Sequence, residues 1–497
     1  MKLLSLRISE HDANFSFYNG NGVEYYKSER KHQIKHHDIK LVEWESEIHS
    51  VWGITSKDLD EIAVVFDPWH HGYEKEREDF FPCIENYNKF KADTKVTRIN
   101  HHYAHALSYW PMTDAEPTTS IVIDGFGDYD KAWTVFQNNK LVEEGSHESH
   151  GSIGTEMANV GDMFGIKAEH TIDIAGKLMG LQSYGVADQE FKKHLAQHSM
   201  YDIMKIFDFA QWNDYKGNML VGNLTGLNWI NTVHDYVGDL LIAFFEKYCK
   251  HDETIFYSGG VAQNVIWNTK LKQSFPNLII PPHCADEGLS IGGLEYLRRK
   301  YNLPKFKLKN FPYCQLDQSA EEPTIDTIKK AADLLSRGKT VGWYQGNGEI
   351  GPRALGNRSI LFHPAVQNGK EIINKIKNRE TYRPFGASIL EEFKDDYFED
   401  LPDNPHMLYV GKTKTKNLDA ITHIDGTCRV QTVSGDGHFA LLLKEFKNLT
   451  DLPILLNTSL NVAGKPIAGN PSDAMELYNN SLLDAVIIGN QILSKNS

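Results

Sequence analysis

The sequence predicts two α/β modules in one chain, and three observations lead there. Short runs rich in β-branched and aromatic residues end on turn formers, as in EIAVVFD (61–67) and TSIVIDG (119–125), the pattern of strands. Longer amphipathic runs at 231–250 and 287–301 lie between several of them, so hairpins and helical crossovers share one sheet system. The stretch KFKLKNFPYCQLDQSAEEPT keeps no period, holds two prolines and ends acidic. It marks 306–324 as a linker between a first module over 1–305 and a second over 325–497.

Taken in order, LLSLRIS is the first strand, and the period-two apolar residues around Phe15 and Phe17 with Asn21-Gly22 predict a hairpin after it. Further strands are expected at 61–67, 95–100, 119–125, 132–137 and 254–260. The second module opens with a helical run, IDTIKKAADLLSRGK, followed by the strand TVGWYQ and a Gly-rich loop. FALLLKEF and PILLNTS are expected to be its later strands. No 20–50 residue repeat and no low-complexity tract interrupts this plan.

Composition narrows the function classes. With 41% hydrophobic and 24% charged residues the chain reads as ordinary globular protein. No window approaches a membrane span, and MKLLSLRISEHDANF lacks the apolar core and cleavage site of a signal peptide. The cysteines (Cys83, Cys249, Cys284, Cys314, Cys428) are odd in number and never spaced C-x-x-C. That argues against a disulfide framework and a cysteine zinc site, and for a reducing cytoplasm. A net charge of −14 argues against an extended nucleic-acid surface, because such surfaces need clustered cations. No membrane partner is expected, a small-molecule acceptor is favoured, and a homodimer is compatible with the sequence.

The densest chemistry lies in NHHYAHALSYW, where His101 and His105 share a face if the segment is helical. Two imidazoles so placed can bind one divalent cation, with Asp124 in VIDGFGD and Asp286 in CADEGLSIGG as candidate carboxylates at strand ends. Nitrogen plus carboxylate ligation suits Fe, Mn or Zn. A His-rich aromatic segment that merely packs is the competing reading, and His102 has the weaker claim. Turns at EHDANF, DGFGD (with Gly125) and SGGVAQN (with Gly259, Gly260 and Asn264) each follow a strand, and such turns, glycine-bearing in the latter two, can let backbone N–H groups approach phosphate. Taken singly, each reads equally as a tight turn. None matches a P-loop or a dinucleotide fingerprint.

Lys177 and Gly180 sit in DIAGKLMGLQSYG, where a lysine among glycines can reach a phosphate or serve as a surface residue. In the second module GPRALGNRSILFHP carries Arg353 and Arg358, and NKIKNRETYRPFGASIL adds Lys375, Lys377, Arg379 and Arg383. Such a cation excess in an acidic protein implies an anionic ligand, since guanidinium forks match phosphate and carboxylate; a solvated basic face is the alternative. Asn457, Thr458, Ser459 and Asn461 place polar groups at the end of a late strand.

Together these motifs resemble the O-carbamoyltransferase family of nodulation-factor, cephamycin and aminoglycoside biosynthesis. The matches are EHDANF, Glu29-Arg30 with Lys35-His36, HHYAHA, VIDGFGD, GKLMGLQSYG, YSGGVAQN, GPRALGNRSIL, NRETYRPFGASIL and NTSLNVAGKPI, from residue 10 to about 470. Departures are Glu10 for the usual glycine, GLQSYG for GLAPYG, and Lys465 in the late GEP[IV] motif.

The resemblance implies an N-terminal module of the actin-like ATPase and sugar-kinase fold and a C-terminal YrdC-like module. It implies formation of carbamoyl-adenylate from carbamoyl phosphate and ATP with Mg(II), then transfer to a hydroxyl. By the same carry-over one divalent metal, iron(II), sits on His101, His105, Asp124 and Asp286. His11 is the general base, with Lys35 beside it. Arg353, Arg358, Lys375, Lys377 and Arg383 surround the phosphates, and Gly125, Lys177, Gly180, Gly259, Gly260, Asn264, Asn457 and Ser459 contact nucleotide.

Alternative readings are carbamoylation of a nucleotide or nucleic-acid base, threonylcarbamoylation of tRNA, hydrogenase maturation, and an ATP-sensing scaffold without chemistry. Hydrogenase maturation would require an acylphosphatase segment and paired C-x-x-C motifs that the sequence lacks. A scaffold would not need both the His-Asp set and the arginine loops.

Overall fold

In the computed structural model residues 1–8, 11–65, 92–216 and 224–495 are described. Glu10, the expected strand end at 66–67 and Cys83 lie outside them.

Strands β1 (Leu3–Arg7), β2 (Asn14–Tyr18), β3 (Val23–Lys27), β4 (Glu61–Val65) and β5 (Lys95–Ile99) form one sheet in the order β3-β2-β1-β4-β5. β1 pairs antiparallel with β2 and parallel with β4, so the predicted hairpin opens the sheet and crossovers complete it. A second sheet holds β6 (Thr119–Gly127), β7 (Lys131–Gln137), β8 (Lys140–Ser146), β9 (Ile255–Ser258) and β10 (Leu278–Ile279), in the order β8-β7-β6-β9-β10. Its connectivity repeats the first sheet strand for strand, down to the parallel β6–β9 and β9–β10 pairs. This duplicated topology is the expected actin-like ATPase and sugar-kinase fold.

The second module is a mixed α/β layer. β11 (Val341–Tyr344), β12 (Arg358–Phe362), β13 (Gly386–Leu390), β14 (Phe398–Glu399), β15 (Tyr409–Thr413), β16 (Thr427–Val433), β17 (Ile454–Ser459), β18 (Ala485–Ile488) and β19 (Gln491–Ser494) run in the order β14-β15-β16-β13-β17-β12-β11-β18-β19. One face buries a core around Phe362, Ile373 and Phe385, the other a core under the helices Ile325–Ser336 and His438–Thr450.

That last helix corrects the strand expected at FALLLKEF. Its buried residues are Phe439, Ala440, Leu442, Leu443 and Phe446, a set spaced by three and four that follows the helical period. Lys444 and Lys447 occupy the other face. The unbroken Leu run hid that period, which only packing against Ile325–Ser336 reveals.

The 306–324 stretch has no helix or extended strand but is well tied. Leu308 and Gln315 bridge to β3, Gln315 bridges to Gly348, and Asp317 pairs with Arg358 at 3.0 Å. The modules also meet directly. Arg30 donates to the Gly351 carbonyl (2.8 Å), Asn268 to that of Leu408 (3.2 Å), and Lys177 pairs with Glu380 (2.7 Å).

The placement of the first module's histidine helix depends on one close approach. The helix Leu289–Lys300 lies so near the helix His101–Leu107 that a Cβ on Gly292 would sit 1.7 Å from the Ala104 carbonyl oxygen. Gly292→Ala is therefore expected to destabilise the first module by about 2 kcal/mol or more through overpacking. Gly176→Ala, in a helix with open space around it, should raise stability by about 0.5–1 kcal/mol. Thermal unfolding of both variants checks the contrast; equal midpoints would contradict it.

Candidate functional site

HHYAHAL forms a helix because Asn100 caps it, its side chain accepting from the Tyr103 N–H. The Asp128 carboxylate also accepts from the His101 N–H at 2.8 Å. One turn apart, His101 and His105 aim Nε2 at the same two carboxylates. Asp124 Oδ2 lies 3.3 and 3.1 Å away, and Asp286 Oδ1 3.5 and 3.4 Å. The donor atoms of all four residues fall within 4.8 Å of one another. His102 points elsewhere, to Thr134 Oγ1 at 2.6 Å, and burial depresses its pKa to about 3. It stays a neutral packing residue.

The charges of this cluster are mutually dependent. Burial works against a charged His101, yet Asp286 and Asp124 beside it raise its pKa to about 10. Burial likewise opposes ionisation of Asp124, and the two imidazoles hold it below the usual range. The Nδ1 atoms of His101 and His105 have no partner among the described residues. Two nitrogens and two carboxylate oxygens converging in a buried space fit a single first-row divalent ion.

The glycines expected at phosphate have a nearer task. The N–H groups of Gly125 (2.8 Å) and Gly260 (3.0 Å) both donate to Asp124 Oδ1, leaving Oδ2 for the histidines. Gly259 has φ +96°, and a Cβ there would lie 2.2 Å from the Ile123 carbonyl, so only glycine brings the two loops together. Asn264 caps the next helix through Oδ1 and contacts His234 through Nδ2 at 3.0 Å.

Beside the cluster lies a second group. His11 Nδ1 is 3.0 Å from Asp12 Oδ2 and 3.9 Å from Asp286 Oδ2. Asp12 also pairs with Lys27 at 2.7 Å and His36 at 2.9 Å, while Asp173 holds Lys35 at 2.5 Å and His36 at 3.4 Å. Asp12, Lys27 and Asp173 were not singled out from sequence. Asp12 adjoins His11 in EHDANF and Asp173 opens DIAGKLMGLQSYG, but nothing local marks Lys27.

Across the interface the second module presents a basin of cations. Arg353, Lys377, Arg379, Arg383 and Arg429 lie close enough to affect one another's charge. Burial, then repulsion from Arg353 and Arg379, drives Arg429 well below its usual pKa. Burial, then Arg379 and Arg383, does the same to Lys377, and burial, then Arg383, to Arg379. Among the described residues the Nε atoms of Arg353 and Arg429 have no partner. Glu380 pairs with Arg383 at 3.5 Å and is shared with Lys177. Arg429 stands alone in TCRVQTV, and only the pairing of β16 with β13 brings it here.

Other expected residues take different positions. Lys375 is exposed, on the opposite side of its helix from buried Lys377, so it lies outside the basin. Arg358 is fully buried, donates to the Gln345 (2.6 Å) and Gly346 (3.0 Å) carbonyls, pairs with Asp317 and stacks 3.6 Å over Tyr344. It braces the loop that carries Arg353. Asn457 donates to Ser388 Oγ (2.9 Å) and the Ala354 carbonyl (3.3 Å). Ser459 with Asn461 surrounds the Lys377 ammonium. Gly180 packs against Pro384 and Arg383, and Lys177 also donates to the Lys167 carbonyl.

Duplicated actin-like sheets with a histidine–carboxylate cluster, facing a cation-rich α/β module, define a two-module protein with paired polar sites. The chain belongs to the carbamoyltransferase family, a family of transferases: its N-terminus profile matches residues 72–294 and its C-terminus profile residues 332–495. Nodulation protein NolO of Bradyrhizobium diazoefficiens is 31% identical over 447 residues, covering 80% of this chain and 79% of its own. NolNO of Sinorhizobium fredii is 30% identical over 451 residues, and the match spans 81% of this chain and 64% of that protein. Among solved structures, HypF from T. kodakarensis (11% identity, TM-score 0.39) covers 61% of this chain and 48% of its own. The activator of 2-hydroxyisocaproyl-CoA dehydratase from Clostridium difficile (13%, 0.36) covers 61% and 96%.

The His36 bridge generates a pH prediction. Burial opposes its charge, but Asp12 and Asp173 raise its pKa to about 9. The pairing thus stabilises fully below the unfolded value near 6.5 and is lost as pH rises through about 9. Wild type should exceed His36→Gln by about 1–3 kcal/mol at pH 6 and by much less at pH 9.5. Thermal midpoints measured across that range check it; a gap that widens with pH would contradict it.

Proposed function

We propose that this chain is an ATP-dependent O-carbamoyltransferase. The second module makes carbamoyl-adenylate from carbamoyl phosphate and ATP, accompanied by Mg(II), and the first passes the carbamoyl group to a hydroxyl of a small-molecule acceptor. The observation that carries the reading is the basin of Arg353, Lys377, Arg379, Arg383 and Arg429, whose charges repel one another with little acid beside them. A polyanion with several phosphate oxygens relieves that repulsion, and guanidinium forks bind such oxygens in pairs.

Atom balance orders the first half-reaction. Water releases phosphate from carbamoyl phosphate, the carbamate oxygen attacks the α-phosphorus of ATP, and pyrophosphate departs with the electron pair. The basin neutralises the charge gathering on that leaving group. Arg358 acts here by bracing the loop of Arg353.

In the first module His101, His105, Asp124 and Asp286 would hold one divalent ion, iron(II) by family resemblance. When bound it supplies a Lewis acid. His11 stands next to this cluster with Nε2 making no hydrogen bond to a described residue. It takes the proton of the acceptor hydroxyl as oxygen attacks the carbamoyl carbon and AMP leaves. Lys35, neutralised by Asp173, orients that wall of the site. Among the described residues no helix is long and apolar enough to cross a membrane, and a small acceptor agrees with the net charge of −14.

Incubation with ATP, carbamoyl phosphate and a library of sugars, nucleosides and nucleotides tests the reading, followed by mass gain of one carbamoyl group. Arg429→Ala should lower carbamoyl-phosphate-dependent pyrophosphate release at least ~30-fold, the equivalent of about 2 kcal/mol, while Lys375→Ala should change it less than ~2-fold. ADP in place of AMP and pyrophosphate would refute the adenylate route.

Metal content provides an independent check. Purified protein should carry about one first-row ion per chain, and His105→Ala should lose most of it while keeping pyrophosphate release. Equal metal in both proteins would move the ion elsewhere.

A further inference from the structure

We propose that Asp12 is a positioning residue that sets the tautomer of His11, and that Lys27 fixes which way the side chain at position 12 can turn. The inference rests on the reading of His11 as the base in carbamoyl transfer and extends it to groups that reading does not use.

Asp12 is buried and adopts φ +55°, a left-handed conformation that aspartate tolerates better than most side chains. Its own carbonyl accepts from Asn14 Nδ2 at 2.6 Å, and its N–H donates to the His36 carbonyl at 3.4 Å. The backbone is therefore held on both sides. Its two carboxylate oxygens are divided. Oδ1 faces the Lys27 ammonium at 2.7 Å, and Oδ2 faces Nδ1 of both His11 (3.0 Å) and His36 (2.9 Å).

An ionised carboxylate only accepts hydrogen bonds, and a lysine ammonium only donates. Both rings must therefore give Nδ1–H to Oδ2. In neutral His11 the single ring proton is then on Nδ1, and the lone pair is on Nε2. The ring is 31% exposed and Nε2 makes no hydrogen bond to a described residue, so this lone pair is available to take a proton.

In the transfer step the hydroxyl oxygen bonds to the carbamoyl carbon, and its proton moves to the Nε2 lone pair. The phosphate oxygen of AMP leaves with the carbon–oxygen electron pair. His11 becomes an imidazolium whose Nδ1–H still points at the Asp12 carboxylate, so the new positive charge forms beside a negative one. Lys27 gives the arrangement its direction, since burial opposes its charge while Asp12 and Glu29 hold it protonated.

The role of Lys27 makes the consequence of Asp12→Asn specific. An amide has one acceptor and one donor end. The ammonium requires the amide oxygen, so the NH2 is turned toward the two rings. His11 must then accept through Nδ1 and carry its proton on Nε2, the wrong nitrogen for a base. A substitution that only loosened the loop would not reverse the tautomer.

Nitrogen-15 NMR of histidine-labelled protein loaded with diamagnetic Zn(II) reads this directly, with His11→Gln identifying the resonance. The expected result is an unprotonated Nε2 in neutral His11 of wild type and a protonated Nε2 in Asp12→Asn. Single-turnover AMP release from carbamoyl-adenylate, with glycerol as the hydroxyl probe, should fall ~10²-fold or more in Asp12→Asn. The KM for glycerol should move less than ~3-fold, because the loss is in the proton transfer. Asp12→Asn combined with His11→Gln should be no slower than His11→Gln alone.

A wild-type His11 that already carries its proton on Nε2 overturns the inference, whether or not the variant folds. An unchanged tautomer in Asp12→Asn, or additive losses in the double variant, overturns it as well. Wild-type AMP release by His11→Gln would instead refute the transfer reading beneath it.

Discussion

The buried carboxylate of Asp124 is the junction on which the first module's site depends. Its Oδ1 collects N–H groups from the ends of β6 and β9, through Gly125 and Gly260, while its Oδ2 faces both histidines. A charge so buried is tolerated only when both oxygens are matched. The requirement explains why two glycine turns that look like phosphate loops converge on a carboxylate. It also fits the close approach at Gly259, where a Cβ would lie 2.2 Å from the Ile123 carbonyl oxygen.

The second module is organised by the opposite imbalance. Its cations lower one another's pKa values, and the acids close to them are few. Stability is supplied around the basin, where Asp317 from the linker secures Arg358 and Ser459 with Asn461 encloses Lys377. Arg30 joins the two regions: it donates to the Gly351 carbonyl and pairs with Glu29 at 3.2 Å, beside Lys27 and Asp12. A module carrying a basin of cations and a module carrying a histidine–carboxylate set are thus joined directly.

Much of this was legible in the chain. The strands of the first module follow period-two and β-branched runs, and the i, i+4 histidines share a helix face as their spacing requires. FALLLKEF reads locally as a strand and folds as a helix, because a run of leucines masks its helical period. The duplication of the two sheets is implied by the family resemblance alone and not by any internal repeat, since topology repeats while the side chains of β1–β5 and β6–β10 do not.

Local chemistry therefore determined which residue types form the site: a histidine pair, strand-end aspartates, and arginines clustered between Gly and Pro. Tertiary structure alone decided their tasks. It set Arg358 inward against Tyr344, left Lys375 in solvent, brought Arg429 into place from a segment with no signature of its own, and turned Asp12 and Asp173, from two separate motifs, onto the same histidine. The physical reason is range. Turn formation and helical spacing are read within a few residues, whereas the partner of a buried charge is chosen across hundreds, by whichever element packing brings within hydrogen-bonding distance.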